Sequence, residues 1–261
     1  MTRHHRPLAA ALLITATLTA WAGPARVLPL RLEGGLASVA ARIDGREARL
    51  LIDTGGAAAL ALRPDWAPAA AGGSADASQD AQGRPRANAA LAVGEVELAG
   101  QALQPAPAAQ TWGKPRRPPG IDGYLGWGWL RERRWVVDYA ARELRLLGGD
   151  EPMPAGCGPE PLRFELLGSL PVLRLHDAAG QPLTLGLDTG ASRNVIRPAL
   201  ADAVAAGPLS AGDRSLAAGA FVSAPLQVPG LDGFLGQDFL SRHRVCVDPA
   251  GRQLWLQPLA P

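Results

Sequence analysis

Short apolar segments separated by turn residues run along the chain and predict strands more often than helices. Residues 38–43 and 46–52 flank Asp44-Gly45, a dipeptide that favours the positive φ angles of a tight hairpin turn. Helical turns are predicted only at residues 127–133 and 237–243. The pattern therefore predicts a mainly β protein.

The chain also repeats itself, which predicts two homologous lobes. Residues 121–146 align without a gap with residues 231–256, and 12 of these 26 positions are identical. Upstream, Leu51-Ile52-Asp53-Thr54-Gly55 corresponds to Gly186-Leu187-Asp188-Thr189-Gly190. Each half thus has an apolar strand, Asp-Thr-Gly, a middle segment, Asp-Gly-x-Leu-Gly and a hairpin. The middle segment is longer in the first half.

The flanks of the repeat give a domain division. Residues 1–22 combine a basic start, a short apolar run and small residues near Ala22, which is typical of a cleaved signal peptide. Residues 23–147 and 162–261 are the two predicted lobes, and the Gly- and Pro-rich segment 148–161 is the predicted linker. We expect a periplasmic or secreted protein without stable membrane insertion after cleavage; an uncleaved anchor is the alternative.

Composition narrows the classes of function. The formal net charge is only +2, and the densest basic cluster, Lys114, Arg116 and Arg117, is typical of a solvated loop, so nucleic acid is not a predicted partner. The four histidines lack metal-ligand spacing, and no metal is expected. An oxidising compartment permits a disulfide between Cys157 and Cys246, although a buried free thiol equally suits the apolar surroundings of Cys246.

Four of the six repeated aspartates have a simple structural interpretation. Asp138 and Asp248 each begin a tight hairpin turn, where a carboxylate caps its own backbone. Asp122 and Asp232 each precede a glycine at the start of an apolar run, which again suits a turn or a local cap. These four residues are therefore not the first candidates for catalysis.

Asp53 and Asp188 differ because each ends an apolar strand, where an unpaired buried carboxylate would be costly. The Thr and Gly that follow can turn the chain and direct hydroxyl and N–H groups at the carboxylate. One Asp-Thr-Gly is also an ordinary strand-to-turn exit. Two copies at equivalent places in a duplicated chain predict a catalytic pair.

These motifs resemble the pepsin and retropepsin superfamily of aspartic peptidases, specifically bacterial retropepsin-like proteins with two Asp-Thr-Gly copies in one chain. Tyr124-Leu125-Gly126 and Phe234-Leu235-Gly236 match the family's second signature, two hydrophobic residues and a glycine. The resemblance covers residues 28–146 and 170–256. It implies an all-β, bilobal acid-protease fold of two retropepsin-like barrels with short helices.

The resemblance further implies that Asp53 and Asp188 share one proton and activate a water, so that no cofactor is needed. Thr54 and Thr189 would hold the two catalytic loops together, and Gly55 and Gly190 would support them. The implied partner is a peptide or protein substrate in extended conformation, cleaved by a monomer. A homodimeric active unit and a non-catalytic exported peptide-binding module are the alternatives.

Three further expectations concern the cleft. A flap is predicted at residues 79–86 with Gly83 at its tip, with a plain surface loop as the alternative. Trp127 aligns with Gln237, so Trp127 either packs in the core or lines the cleft. Gly56 and Ala191 lack the hydroxyl that many pepsins carry after the triplet, which predicts an activity optimum less acidic than pepsin's.

Overall fold

The computed structural model describes residues 25–71, 75–113 and 118–259. The predicted signal peptide and the basic cluster at Lys114, Arg116 and Arg117 lie outside the described residues. Strands dominate the described chain. Those of the first half are β1 (Arg26–Glu33), β2 (Leu36–Ile43), β3 (Arg46–Asp53), β4 (Leu60–Leu62), β5 (Ala75–Gln79), β6 (Pro85–Leu91), β7 (Val96–Leu98), β8 (Gln101–Ala102), β9 (Ala109–Thr111), β10 (Gly123–Gly126), β11 (Trp135–Asp138) and β12 (Glu143–Leu146).

The second half repeats this arrangement with shorter connections. Its strands are β13 (Leu162–Arg163), β14 (Glu165–Leu167), β15 (Leu170–His176), β16 (Pro182–Leu187), β17 (Asn194–Ile196), β18 (Leu209–Ala211), β19 (Arg214–Leu216), β20 (Phe221–Ser223), β21 (Gly233–Leu235), β22 (His243–Asp248) and β23 (Gln253–Pro258). The helices are α1 (Trp127–Leu130), α2 (Ala201–Ala205) and α3 (Gln237–Leu240), with 3-10 turns at Ala155–Cys157 and Pro198–Leu200. No helix in these described ranges is long and apolar enough to span a bilayer.

Each lobe contains the same crossed arrangement of strands. In the first lobe β10 lies between β3, to which it runs parallel, and β4, to which it runs antiparallel. In the second lobe β21 lies in the same way between β16 and β17. The two Asp-Gly-x-Leu-Gly copies supply these inserted strands. Because each inserted strand pairs with the strand that leads into Asp-Thr-Gly, the repeat brings its two motifs together.

A central sheet joins the two lobes in the order β13-β23-β22-β11-β12-β1. At its centre Val136 of β11 pairs with Cys246 of β22, and these residues are equivalents in the internal repeat. On either side Trp135 pairs with Val247 and Val137 pairs with Val245. Exchanging every residue for its repeat equivalent reproduces the same register. The strand pair therefore lies on a local twofold axis between the lobes.

Two expectations about local structure are corrected. The predicted helical turns at 127–133 and 237–243 are too long, because α1 ends at Leu130, α3 ends at Leu240, and His243 already begins β22. Only four residues separate α1 from β11 and only two separate α3 from β22, so the chain leaves the helix after one turn in order to enter the central sheet.

The second correction concerns Asp122 and Asp232. Instead of capping a turn, each carboxylate accepts a hydrogen bond from the backbone of a strand far away in sequence. The donors are the Arg49 N–H of β3, at 2.9 Å, and the Thr184 N–H of β16, at 2.8 Å. By contrast, Asp138 accepts from the Ala141 N–H within its own turn, as expected. Asp122 and Asp232 therefore each connect the start of an inserted strand to the neighbouring strand of the sheet.

Candidate active site

The ends of two equivalent strands deliver the two candidate aspartates to the lobe interface. Asp53 is the last residue of β3, and Asp188 directly follows β16. The backbone N–H of Asp188 still bonds to the Leu235 carbonyl of the inserted strand, at 3.1 Å. Asp53 is buried, with 3% of its surface exposed, whereas Asp188 is half-buried. Both side chains are thus held at strand ends, where backbone pairing limits their movement.

Reciprocal hydrogen bonds lock the two loops to each other. The Thr54 N–H donates to Thr189 Oγ1 at 3.0 Å, and the Thr189 N–H donates to Thr54 Oγ1 at 3.0 Å. The Thr54 hydroxyl donates to the Leu187 carbonyl at 2.7 Å, and the Thr189 hydroxyl donates to the Ile52 carbonyl at 2.6 Å. Each hydroxyl therefore accepts one bond and donates one across the interface. All four bonds are buried.

The glycines of the two loops lie against the opposite carboxylates. A Cβ added to Gly55 would lie 2.6 Å from Asp188 Cγ, and one added to Gly190 would lie 2.5 Å from Asp53 Oδ1. Only glycine permits this approach, and each aspartate thus contacts the loop that carries the other. Asp53 Oδ1 accepts from the Gly56 N–H at 2.9 Å, and Asp188 Oδ1 accepts from the Gly190 N–H at 2.9 Å. Each carboxylate is therefore held by a backbone N–H group of its own loop and lies against the opposite loop.

Two apolar clusters, one per lobe, contain the aromatic residues of the inserted strands. We call them the first-lobe wall, which contains Tyr124, and the second-lobe wall, which contains Phe234. The first-lobe wall is formed by Leu36, Leu51, Ala61, Trp112, Ile121 and Tyr124, and the second-lobe wall by Val172, Leu226, Leu231 and Phe234. Burial, and then the negative charges of Asp53 and Asp188, raise the pKa of the Tyr124 hydroxyl above its ordinary value. Tyr124 is thus close enough to both aspartates for their charges to affect the pKa of its hydroxyl.

A β-hairpin from the first lobe reaches the second lobe. The predicted hairpin is present as β5 and β6, and Gly83 adopts a φ of 75° in its turn. At the tip, the Ala81 carbonyl accepts a hydrogen bond from the Gln227 N–H at 2.8 Å, and Ala81 packs against the second-lobe wall. We call residues 75–91 the flap hairpin. A hydrogen bond and an apolar contact therefore join its tip to the opposite lobe.

Asp80 makes the tip of the flap hairpin a defined turn. Asp80 Oδ1 accepts from the N–H groups of Gln82 and Arg84, and Oδ2 binds the side chains of Arg84 and Arg86. Burial alone would raise the pKa of the Asp80 carboxyl, but the bonds from Arg84 and Arg86 bring it below its ordinary value. Asp80 is therefore charged down to acidic pH and keeps the tip in shape.

The two halves have different residues behind the two Asp-Thr-Gly loops. Trp127 is buried and packs edge-on against Phe164, with ring centroids 5.7 Å apart, so it belongs to the core. At the equivalent position, the Gln237 amide donates to the Thr189 carbonyl at 2.7 Å and to the Tyr139 hydroxyl at 3.1 Å. Sequence reasoning did not assign Gln237 this supporting contact. The only sequence signal was a polar residue opposite a tryptophan.

The structure has a disulfide between Cys157 and Cys246. Cys246 is fully buried at the local twofold axis, so the bond ties the segment between the lobes to the central sheet. Within the described ranges, no three His, Cys, Asp or Glu side chains are grouped so that they could hold a metal ion.

Comparisons with known proteins identify the fold. No protein-family model and no curated protein matches the sequence. An aspartic proteinase from Irpex lacteus matches the structure with a TM-score of 0.60 and 13% identity, over 90% of this chain and 98% of that one. Basic 7S globulin from soybean matches with a TM-score of 0.58 and 11% identity, over 90% and 95% of the two chains. The chain has the bilobal, mainly β fold of pepsin-like aspartic proteinases.

Proposed function

We propose that the protein is an aspartic endopeptidase in which Asp53 and Asp188 activate a water molecule. One observation carries the proposal: Thr54 and Thr189 bond the two loops to each other, and each carboxylate lies against a glycine of the loop that carries the other. Two carboxyl groups so close together cannot easily both ionise, and they share one proton. A pair with one acid and one base is the arrangement that acid–base hydrolysis requires.

The proposed reaction needs no covalent intermediate. The ionised carboxylate removes a proton from the water, whose oxygen attacks the carbonyl carbon of the peptide bond. The protonated carboxyl donates a hydrogen bond to the developing oxyanion. The proton taken from water then passes to the leaving nitrogen as the C–N bond breaks, which restores the shared proton. An amine and a carboxylic acid are released.

The proposed substrate is a peptide or protein segment in extended conformation, bound by a monomer. The flap hairpin, whose tip contacts the second lobe, would cover the bound segment and exclude water. We also propose export to the periplasm or beyond, which the buried Cys157–Cys246 disulfide supports because disulfides persist in oxidising compartments.

A peptide-binding module without turnover is the second candidate. It is favoured by one comparison: one matching structure is named a proteinase and the other a globulin, so proteins with this fold carry different names and functions. Such a module would use the same cleft and the same flap hairpin. Retention of an aspartate in both loops favours the enzyme.

The deciding experiment compares three proteins that lack residues 1–22: the wild type, Asp53→Asn and Asp188→Asn. Each is incubated with a peptide library from acidic to neutral pH, with and without a statine-type inhibitor. We expect cleavage by the wild type alone, with losses of about a thousandfold or more in the variants. Asp248→Asn makes the same chemical change in a hairpin turn and is expected to retain activity.

The outcomes separate the candidates. Equal cleavage by the wild type and both active-site variants would show that a contaminant or another site is responsible. Peptide binding without cleavage at any pH would establish the binding module. Activity per chain that rises with protein concentration, together with dimers in gel filtration, would contradict the monomeric active unit.

A further inference from the structure

Tyr124 occupies the space that a side chain at position 56 would need. A Cβ added to Gly56 would overlap Tyr124 Cε2 and lie 2.9 Å from Cζ. The ring is fixed there, because it is buried and packs edge-on against Trp112 with centroids 5.6 Å apart. Gly56 is the position after the first Asp-Thr-Gly, where the sequence departs from its family by lacking a side chain. The structure supplies the reason for that departure.

The Cε2 edge of the ring lies against the turn that holds Asp53. The ring atoms nearest to the Cβ position of Gly56 are Cε2, Cζ and Cδ2, and the N–H of Gly56 bonds to Asp53 Oδ1 at 2.9 Å. The ring that carries the Tyr124 hydroxyl is therefore a neighbour of the Asp53 turn. Because burial and the nearby negative charges raise the pKa of Tyr124, the phenol stays protonated and able to donate throughout the acidic and neutral range.

The second lobe shows that packing alone does not require a tyrosine. Phe234 is the repeat equivalent of Tyr124, is 8% exposed as Tyr124 is, and fills the second-lobe wall without a hydroxyl. An aromatic ring is thus sufficient to complete each wall. The additional oxygen is present only on the Asp53 side, although Ala191 on the Asp188 side lacks a hydroxyl as Gly56 does.

We propose that Tyr124 is a positioning residue for Asp53, whose hydroxyl donates to the Asp53 carboxylate the hydrogen bond that a side chain at position 56 cannot provide. The bond forms in the substrate complex, since hydrogen bonds of catalytic groups commonly tighten on binding. The inference rests on the proposed peptidase function. It makes Gly56 and Tyr124 an interdependent pair, in which the large residue requires the absent side chain.

The test uses Tyr124→Phe, which removes only the hydroxyl. We expect kcat/KM to fall about three- to tenfold, the size of one hydrogen bond. We also expect the acidic limb of the pH–rate profile to move to higher pH, because the ionised carboxylate loses a donor. Tyr139→Phe removes the hydroxyl of the chain's only other tyrosine, which is bonded to Gln237, and is expected to leave the acidic limb in place.

A compensating pair of substitutions tests the interdependence. Gly56→Ser alone is expected to lower activity more than Tyr124→Phe, because its Cβ would overlap the ring. Gly56→Ser combined with Tyr124→Leu removes the overlap and restores a hydroxyl, so the acidic limb is expected to return toward that of the wild type. An unchanged acidic limb in Tyr124→Phe, or no rescue by the pair, would overturn the inference.

A titration without turnover separates this inference from the proposed function. The carboxyl ¹³C resonance of Asp53 is followed from acidic to neutral pH in the wild type and in Tyr124→Phe, with a bound statine-type inhibitor in place of substrate. A higher midpoint in the variant supports the positioning role even if the wild type cleaves nothing. Equal midpoints in a wild type that does cleave peptides would reject the positioning role and leave the peptidase function standing.

Discussion

Replacing either threonine of the interlobe lock by valine should destabilise the whole protein. Thr189→Val keeps the branched shape but removes a hydroxyl that accepts from the Thr54 N–H and donates to the Ile52 carbonyl. Thr54→Val removes the two bonds related to these by the local twofold axis: Thr54 Oγ1 accepts from the Thr189 N–H and donates to the Leu187 carbonyl. The two substitutions lie 135 residues apart in sequence, yet each removes the same chemistry from the same interface.

The magnitude follows from the groups left behind. Thr54 and Thr189 are 3% and 2% exposed, so water does not replace the lost partners. Each substitution strands one backbone N–H and one carbonyl, at about 1–3 kcal/mol each, which gives a loss of about 2–6 kcal/mol in the free energy of unfolding. Because the two threonines bond to each other, the loss in the double variant should differ from the sum of the single losses by about 0.5–3 kcal/mol. Such a loss approaches the whole stability of an ordinary domain, about 5–15 kcal/mol.

The assay is urea-induced unfolding of the wild type, both single variants and the double variant with the disulfide intact. Thr111→Val is the matched control, because its half-buried hydroxyl accepts a single bond, from the Ala89 N–H within the first lobe. The control should cost about 1 kcal/mol. Single losses below that of the control, or losses that differ strongly between Thr54→Val and Thr189→Val, would refute the symmetric lock.

Two further predictions concern the flap hairpin and the central sheet. A Cβ on Gly83 would lie 2.9 Å from Gln227 Cβ, closer than Cβ atoms approach in folded proteins, and Gly83 has a φ of 75°. Gly83→Ala should therefore move the tip of the flap hairpin away from Gln227 and make the hairpin more susceptible to limited proteolysis, and proteolysis at the wild-type rate would contradict the contact. Burial alone would raise the pKa of the Asp138 carboxyl, but hydrogen bonds from the Ala141 N–H and Arg244 bring it below its ordinary value. The ionised carboxylate therefore stabilises the folded protein above about pH 4, and this contribution is lost as the pH falls through the lowered pKa. Asp138→Asn should therefore cost about 1–3 kcal/mol at pH 7 and little near pH 2, and thermal unfolding that shows the same deficit at both pH values would disprove the assignment.

Residue patterns within one half of the chain predicted the two lobes and their hairpins well. The duplicated motifs predicted two lobes, and the turn dipeptide at Asp44-Gly45 predicted the β2–β3 hairpin within two residues at each end. For residues 79–86 the local sequence left a hairpin with Gly83 at its tip and a plain surface loop as alternatives, and the structure has the hairpin. These features depend on neighbours in the chain or on the alignment of one half with the other. Both kinds of information are present in a single sequence.

Contacts between distant segments could not be predicted in this way. Nothing near Gly56 indicates that the ring of Tyr124 fills its side-chain space, and nothing near Gln227 indicates that its N–H binds Ala81. The bond from the Arg49 N–H to Asp122 was likewise missed, because a cap within a turn and a tie between strands have the same local sequence. Such contacts depend on three-dimensional packing, which a linear pattern of polar and apolar residues does not record.

The two clearest differences between the lobes both lie in the first lobe. The register at Val136 and Cys246 and the paired threonine bonds obey the local twofold axis, so the frame treats both lobes alike. A fully symmetric cleft would bind an extended peptide equally well in either direction, since rotation about the axis exchanges the two lobes and reverses the chain. The flap hairpin and the Tyr124 hydroxyl both belong to the first lobe, where the second has a shorter connection and Phe234. These two features make the two lobes unequal near Asp53 and Asp188, and for the proposed peptide substrate we therefore expect a single binding direction.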